Sequence, residues 1–165
     1  MSPLAQRLVI GTAVLIASGS LGYLIYRAMA APAESVGDER DRRLSDVSNT
    51  VAQSKLSEED ARFLEESAGA SDEPAVQRWA LVTMAAHLAQ DSKMTAETRK
   101  VLEDGIVRGL WDTDPRVVIS AIGCAEEANL TDRPEVRDRI LALCDDGDPK
   151  VAERASRSRS ARNGG

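Results

Sequence analysis

Aromatic residues, histidines and cysteines are all scarce in this chain of 165 residues. It contains one phenylalanine, two tyrosines, two tryptophans, a single histidine and two cysteines. The remainder is rich in alanine, leucine, arginine and glutamate, which favour helices, so the composition predicts an all-α protein. A chain of this length leaves room for one modest domain besides the apolar run near its N-terminus.

The lack of metal-ligating and nucleophilic side chains limits the chemistry that the chain could perform. His87 stands alone, which excludes an HExxH motif and a three-histidine metal site, and we expect it to have a packing or surface role. Cys124 and Cys144 lack the CxxC spacing of zinc and redox sites, and we expect both to be buried, reduced packing residues. We therefore predict no catalytic residues, no enzymatic activity and no cofactor.

Two further segments resemble ligand sites in composition but do not match the spacing or context that such sites require. Asp145, Asp146 and Asp148 surround a glycine, but their spacing does not match a calcium loop, and helix capping explains the acids. The segment GIVRG at 105–109 follows no strand and precedes no lysine, so it is not a phosphate loop. We expect its glycines to allow close helix packing.

Charge is distributed unevenly along the chain. The formal net charge is −6, yet residues 150–165 contain five basic residues and one acid, so the remainder carries about −10. An acidic body repels phosphate backbones, which argues against nucleic-acid binding. Residues 156–165 are predicted to form a basic, disordered tail. Its candidate partner contacts are Arg157, Arg159 and Arg162, which could meet anionic lipid, RNA or an acidic partner.

Only one long uncharged apolar run occurs, at residues 8–26. As a helix it would be roughly 28 Å long, close to the thickness of the hydrocarbon core of a bilayer. This predicts an N-terminal flank at 1–7 and one transmembrane helix at 8–27, and hence an integral single-pass protein of the cell membrane. Alternatively, an A-x-A pattern ending at Ala30 would allow cleavage and export of a soluble protein.

The predicted span carries two kinds of recognisable side chain. Small residues that would let a second membrane helix approach closely are Gly11, Ala13, Ala17, Ser18 and Gly22, although small residues are also simply common in spans. The belt at the membrane interface would consist of Tyr23, Tyr26 and Arg27. Basic residues after the span favour the cytoplasm for the large domain, with the periplasm as the alternative.

Residues 28–43 combine small residues and charges and predict a linker or helical stalk. Apolar residues at helical spacing then follow over residues 44–155, and each helix has a start signal. The predicted helix starts lie near 40, at Ser57, Pro74, Thr95 and Pro115, and at TDRP and GDP further along.

One block recurs: DEPAVQRWA, DTDPRVVISA and GDPKVAERA each place a proline after an acid and before a valine. The prolines are 41 and 34 residues apart, and two helices are predicted between successive prolines, which is the period of a helix-pair solenoid. We expect the acid to cap the helix, the valine to pack on the core and the basic residue to pair with a neighbouring repeat. The block consists of Asp72, Pro74, Val76, Arg78, Asp114, Pro115, Arg116, Val117, Asp148, Pro149, Lys150 and Val151.

These blocks resemble the first helix of HEAT repeats, especially the short bacterial HEAT-like type related to phycobilin lyase repeats, with the pattern D-x-x-P-x-V-R-x-x-A. The intervening DRPEVRDRILALC is similar to a second helix of the same unit. The resemblance covers about residues 72–155. It implies a short HEAT-like α-solenoid of antiparallel helix pairs over 44–155, behind the transmembrane helix.

The leading functional hypothesis is a membrane-anchored scaffold that acts by protein–protein binding, as an accessory subunit, adaptor or assembly factor of a membrane complex. The alternative is a bilin-type small-molecule binding or lyase-like protein, although the sequence displays no converging polar set for a ligand pocket. Trp79 and Trp111 would be partner contacts if exposed on a concave face. We expect both to be core residues.

Overall fold

A computed structural model describes residues 39–53, 55–70, 73–90 and 93–163 of the chain. Within these ranges there are seven α-helices, one short 3₁₀ helix and no strand, which confirms the predicted all-α class. The helices are α1 (Glu39–Asn49), α2 (Glu58–Ala68), α3 (Pro74–Gln90), α4 (Ala96–Gly109), α5 (Pro115–Glu127), α6 (Pro134–Leu143) and α7 (Pro149–Asn163), and the 3₁₀ helix (Val51–Gln53) follows α1.

Local capping chemistry begins most of these helices where the sequence predicts. The hydroxyl oxygen of Ser57 accepts a hydrogen bond from the amide of Asp60 at 3.0 Å, and that of Thr95 accepts one from Thr98 at 3.1 Å. Each bond satisfies an amide that the first turn of a helix leaves free. Proline is the first residue of α3, α5, α6 and α7, where its missing N–H costs nothing.

Helix α3 lies at the centre of the fold and packs against α1, α2, α4 and α5. Its buried side chains lie on every side rather than along one stripe, as expected for a helix with neighbours all around it. Leu81 and Met84 are fully buried near its middle. His87 is also fully buried, and its Nε2 lies 3.4 Å from the carbonyl oxygen of Val47, so it has the packing role expected from the sequence.

Four pairs of helices that are separated by one helix in the chain lie side by side. Helix α1 contacts α3, α3 contacts α5, and α5 contacts α7, while α2 contacts α4. Consecutive helices also pack together from α2 to α5 and again between α6 and α7. One row therefore contains the odd-numbered helices, and α2 and α4 begin a second row beside it.

The two glycines of α4 lie where neighbouring helices approach closely. A Cβ atom on Gly109 would lie 3.0 Å from the Cβ of Ala121 on α5 and 3.1 Å from a methyl carbon of Leu81 on α3. At Gly105 the nearest atoms belong to the end of the Met84 side chain. This geometry confirms that the GIVRG segment serves close helix packing.

The predicted membrane localisation needs correction. None of the helices in the described ranges is both long and apolar enough to cross a bilayer. The longest, α3, has 17 residues and measures about 26 Å, short of the roughly 30 Å of hydrocarbon, and it carries Arg78. This contradicts the single-pass assignment. The segment predicted to span, its small-residue rows and its flanking belt lie within residues 1–38, outside the described residues, as does Ala30.

The two ends of the described fold compare differently with the sequence predictions. Helix α1 begins at Glu39, in agreement with the predicted helix start near residue 40, and Leu44 and Val47 on its buried side anchor it to the core. At the other end, α7 continues to Asn163 through most of the tail predicted to be disordered. Burial of Ser158 and an ion pair between Arg157 and Glu153 support this extension.

Candidate functional site

Two turns with the same hydrogen bonds precede α5 and α7. In the first, the carboxylate of Asp112 accepts from the amide of Asp114 at 2.8 Å, and Asp114 accepts from the amide of Arg116 at 2.8 Å. In the second, Asp146 accepts from Asp148 at 2.9 Å, and Asp148 accepts from the amide of Lys150 at 2.8 Å. The turns lie 34 residues apart, so the recurrence in the sequence is also a recurrence of local structure.

The recurring valines behave as the sequence predicts, but Arg116 does not. Val76, Val117 and Val151 are all buried against the core. The guanidinium of Arg116 pairs with Asp114 of its own turn at 2.7 Å instead of reaching a neighbouring repeat. The bound carboxylate lies only two residues away, so this pairing needs no long reach. Asp72, the acid of the first block, lies outside the described residues.

Arg78, the basic residue of the first block, does reach across to the next one. Its Nε donates to the hydroxyl oxygen of Ser120 on α5 at 3.1 Å. That hydroxyl in turn donates to the carbonyl oxygen of Arg116 at 3.0 Å. The contact is a chain of hydrogen bonds between α3 and α5 and not the acid–base pair predicted for it.

The charged Asp114 cap should make stability depend on pH. The Arg116 guanidinium lowers the pKa of this carboxyl from 3.8 to about 2. Because the pKa of Asp114 is lower in the folded protein, its ionised carboxylate stabilises the fold above about pH 4. This stabilisation is lost as the carboxylate becomes protonated between about pH 4 and pH 2. We expect Asp114→Asn, which keeps a capping oxygen, to be less stable than the wild type at pH 7 by no more than about 1 kcal/mol.

That difference between Asp114→Asn and the wild type should shrink as the pH is lowered from 5 to 2. Urea titrations followed by circular dichroism at several pH values would measure it. Asp148→Asn is the matched control, since the side chain of Asp148 caps α7 with no arginine two residues later. An Asp114→Asn difference that stays constant across this range would contradict the assignment.

The side chain of Gln77 connects three elements next to the turn that precedes α5. This side chain of α3 is buried, and its Nε2 donates to the carboxylate of Asp112 at 3.0 Å and to the carbonyl oxygen of Ala68 at 3.3 Å. Its Oε1 is buried with no hydrogen-bond partner among the described residues. The amide therefore links the end of α2, the start of α3 and the turn that leads into α5.

Trp111 lies just before Asp112, at the point where α4 has ended, and its side chain is 62% exposed. The core expectation for this residue was wrong, because Leu110 immediately before it occupies the buried position. Arg139 of α6 lies over the indole, with 4.2 Å between the guanidinium carbon and the ring centroid. Its Nε also donates to the carbonyl oxygen of Leu110 at 3.0 Å. Trp111 and Arg139 together are called the Trp–Arg platform below.

Trp79, the other tryptophan, packs against the core as expected and is half-buried. Its indole Nε1 donates to the hydroxyl oxygen of Ser48 at 3.0 Å, and that oxygen lies 2.9 Å from the hydroxyl of Thr83. A tryptophan whose only polar atom is bonded inside the fold has a structural role. Of the two candidate aromatic contacts, only Trp111 is displayed.

The basic residues at the end of the chain differ in their contacts. Arg157 pairs with Glu153 of the same helix, Arg159 is exposed, and Arg162 lies in the last turn of α7. Arg154 crosses to Glu126 on α5. Burial would raise the pKa of Glu126, but hydrogen bonds from Arg154 and from Ser158 outweigh it and hold that pKa below its usual value. This pair joins α7 to α5.

Both cysteines are free thiols, as predicted, but only Cys124 is buried, while Cys144 is half-buried. Burial raises the pKa of the Cys124 thiol to about 12. Because the thiolate is the reactive form, we expect maleimide to label Cys124 more than about tenfold slower than Cys144 in the folded protein. Mass spectrometry of a labelling time course would measure both rates. Labelling in urea is the control, where the rates should converge, and equal rates in the folded protein would contradict this.

No group of three or more side chains suited to holding a metal ion occurs among the residues that the structure describes. The aspartates around Gly147 act as the sequence predicts, since Asp146 and Asp148 accept amide hydrogen bonds at the start of α7.

Sequence reasoning missed two residues at this site, Arg139 and Gln77. Arg139 follows Glu135 by four residues on α6, a spacing that predicts a salt bridge within the helix, and nothing in the sequence points to Trp111 instead. The sequence did contain an indication for Gln77, because this residue stands immediately after the valine, where the recurring pattern favours arginine. A neutral amide there indicates a buried position.

Comparisons with protein families, with curated proteins and with solved structures found no match to this chain.

Proposed function

We propose that the helical part of the chain is a short HEAT-like α-solenoid that acts as a protein-binding scaffold, either as an adaptor or as an accessory or assembly subunit of a larger complex. Stacked helix pairs form rigid extended surfaces that bind other proteins without catalysing a reaction. The proposal assigns no catalytic residue and no cofactor. Nothing among the described residues favours the small-molecule alternative.

Two features of the packing support the solenoid. The odd-numbered helices lie side by side along the chain, and the capped turns before α5 and α7 repeat the same hydrogen bonds 34 residues apart. A helix pair in such an array buries its apolar side against its neighbours. The recurring blocks make α3, α5 and α7 the first helices of successive units, and these three helices pack side by side.

The observation that carries the binding role is the exposure of Trp111 at a defined position. An apolar side chain of this size is usually buried, and tryptophan and arginine are enriched among residues that dominate binding energy at protein interfaces. Here the two occur together, and the bond from Arg139 to Leu110 holds the guanidinium in place. Little conformational entropy would be lost when a partner covers the indole.

Photocrosslinking in the native cell tests this function. A photoreactive amino acid at position 111 of the full chain should capture a defined partner protein, and Trp111→Ala should reduce recovery of that protein more than about tenfold. The same amino acid at position 62 is the control, because Arg62 is exposed on α2. Absence of any crosslinked protein at position 111, or the same set from both positions, would overturn the proposal.

A further inference from the structure

Arg139 has a guanidinium with unused donors. Its Nε bonds to the carbonyl oxygen of Leu110, and one side of the group faces the indole of Trp111. Its terminal nitrogens make no hydrogen bond, and no carboxylate lies within ion-pair distance, among the described residues. Arginine presents its donors in a rigid planar fork. The donors left over are therefore held in a fixed position next to an exposed aromatic ring.

Two neighbouring arginines, unlike Arg139, pair with carboxylates. Arg133, just before α6, pairs with Glu103 on α4, and Arg137 on α6 pairs with Asp138 at 3.0 Å. Arg139 has Glu135 one turn earlier on its own helix, yet no ion pair joins them. Carboxylates are thus available nearby, but the guanidinium lies on Trp111 and keeps its outer donors open.

The charge around the platform selects among anionic partners. Asp112 follows Trp111 directly, and Asp138 precedes Arg139, within a chain whose residues before 150 carry about −10. A polyanion such as RNA would be repelled by this surface. A single carboxylate on a protein segment needs only one favourable contact, and it matches the fork of arginine with two parallel hydrogen bonds.

We propose that the Trp–Arg platform recognises a partner protein segment in which an aspartate or glutamate stands beside an apolar side chain. The carboxylate accepts hydrogen bonds from the terminal nitrogens of Arg139. The apolar side chain covers the exposed part of the Trp111 ring. This inference rests on the proposed scaffold function, and it names the chemistry of the partner at that site.

Selection from a library of short random peptides displayed on phage tests the inference with the full chain as bait. The selected peptides should be enriched in aspartate or glutamate next to leucine, phenylalanine or tryptophan. Trp111→Ala and Arg139→Ala should each weaken binding of a selected peptide by about tenfold or more in isothermal titration. Arg139→Lys keeps the charge but not the planar fork, and it should also weaken binding.

Arg137→Ala is the matched control, since it removes the same charge from the same helix and should leave the affinity unchanged. Thermal melting of each variant shows whether it is folded. The inference would be overturned if the selection gave no peptides, or if it gave peptides without acidic enrichment. It would also be overturned if Arg139→Ala left the affinity unchanged in a folded protein. A partner that still crosslinks at position 111 in those cases would leave the scaffold function standing.

Discussion

Replacing Leu81 with alanine is expected to lower the free energy of unfolding by about 3 kcal/mol, within the range of roughly 2–5 kcal/mol for fully buried leucines. Leu81 is fully buried on α3, the helix with the most neighbours, and its methyl groups lie beside Gly109 of α4. The surrounding helices can relax only partly into the space left behind. The loss therefore includes a cavity as well as the lost transfer energy.

Urea unfolding followed by circular dichroism would measure this effect. Leu141→Ala on α6 is the matched control, because it deletes the same atoms from a side chain that is 42% exposed. We expect the control to change stability by less than about 0.5 kcal/mol. Equal effects for the two leucines would contradict the central position of α3.

The all-α class and most helix starts could be predicted because they depend on local chemistry. Ser57, Thr95 and Asp114 cap their helices with side-chain oxygens that bond amides two or three residues later. Such bonds involve only neighbours in the chain, so the sequence contains what is needed to predict them. The buried valines of the recurring block follow from helical spacing in the same way.

Exposure of Trp111 could not be predicted, because it depends on which of two adjacent apolar residues turns inward. Leu110 and Trp111 both follow the last turn of α4, and only packing against other helices decides between them. The position of Arg139 has the same origin, since it lies 28 residues further along the chain. Contacts between distant segments therefore determine the candidate site, while local signals determine the helices that hold it.

The Trp–Arg platform depends on how closely α4 approaches its neighbours. Gly109 ends α4 two residues before Trp111, and it lies against both α3 and α5. A side chain there would separate α4 from these helices and move the carbonyl of Leu110 that orients Arg139. The stability of the fold and the geometry of the platform are thus linked through one glycine.

Gly109→Ala is expected to destabilise the protein by about 2 kcal/mol, since overpacking typically costs about 1–3 kcal/mol. The new Cβ would lie 3.0 Å from the Cβ of Ala121, an atom attached to helix backbone that moves only if α5 moves. Alanine favours helix over glycine by about 1 kcal/mol within a helix, but this gain is smaller at the last residue.

Gly105→Ala is the matched comparison, because the atoms within 3 Å of the new Cβ belong to the end of the Met84 side chain, which can change rotamer. We expect its change in stability to stay within about 1 kcal/mol of the wild type, since the gain in helix propensity offsets the adjustment. Urea unfolding of both variants measures the contrast.

Because Gly109 also positions the turn before Trp111, Gly109→Ala should weaken binding of an acidic peptide to the platform while Gly105→Ala leaves it intact. A Gly109→Ala protein as stable as Gly105→Ala would mean that α4 can shift freely, and the link between this glycine and the platform would be wrong.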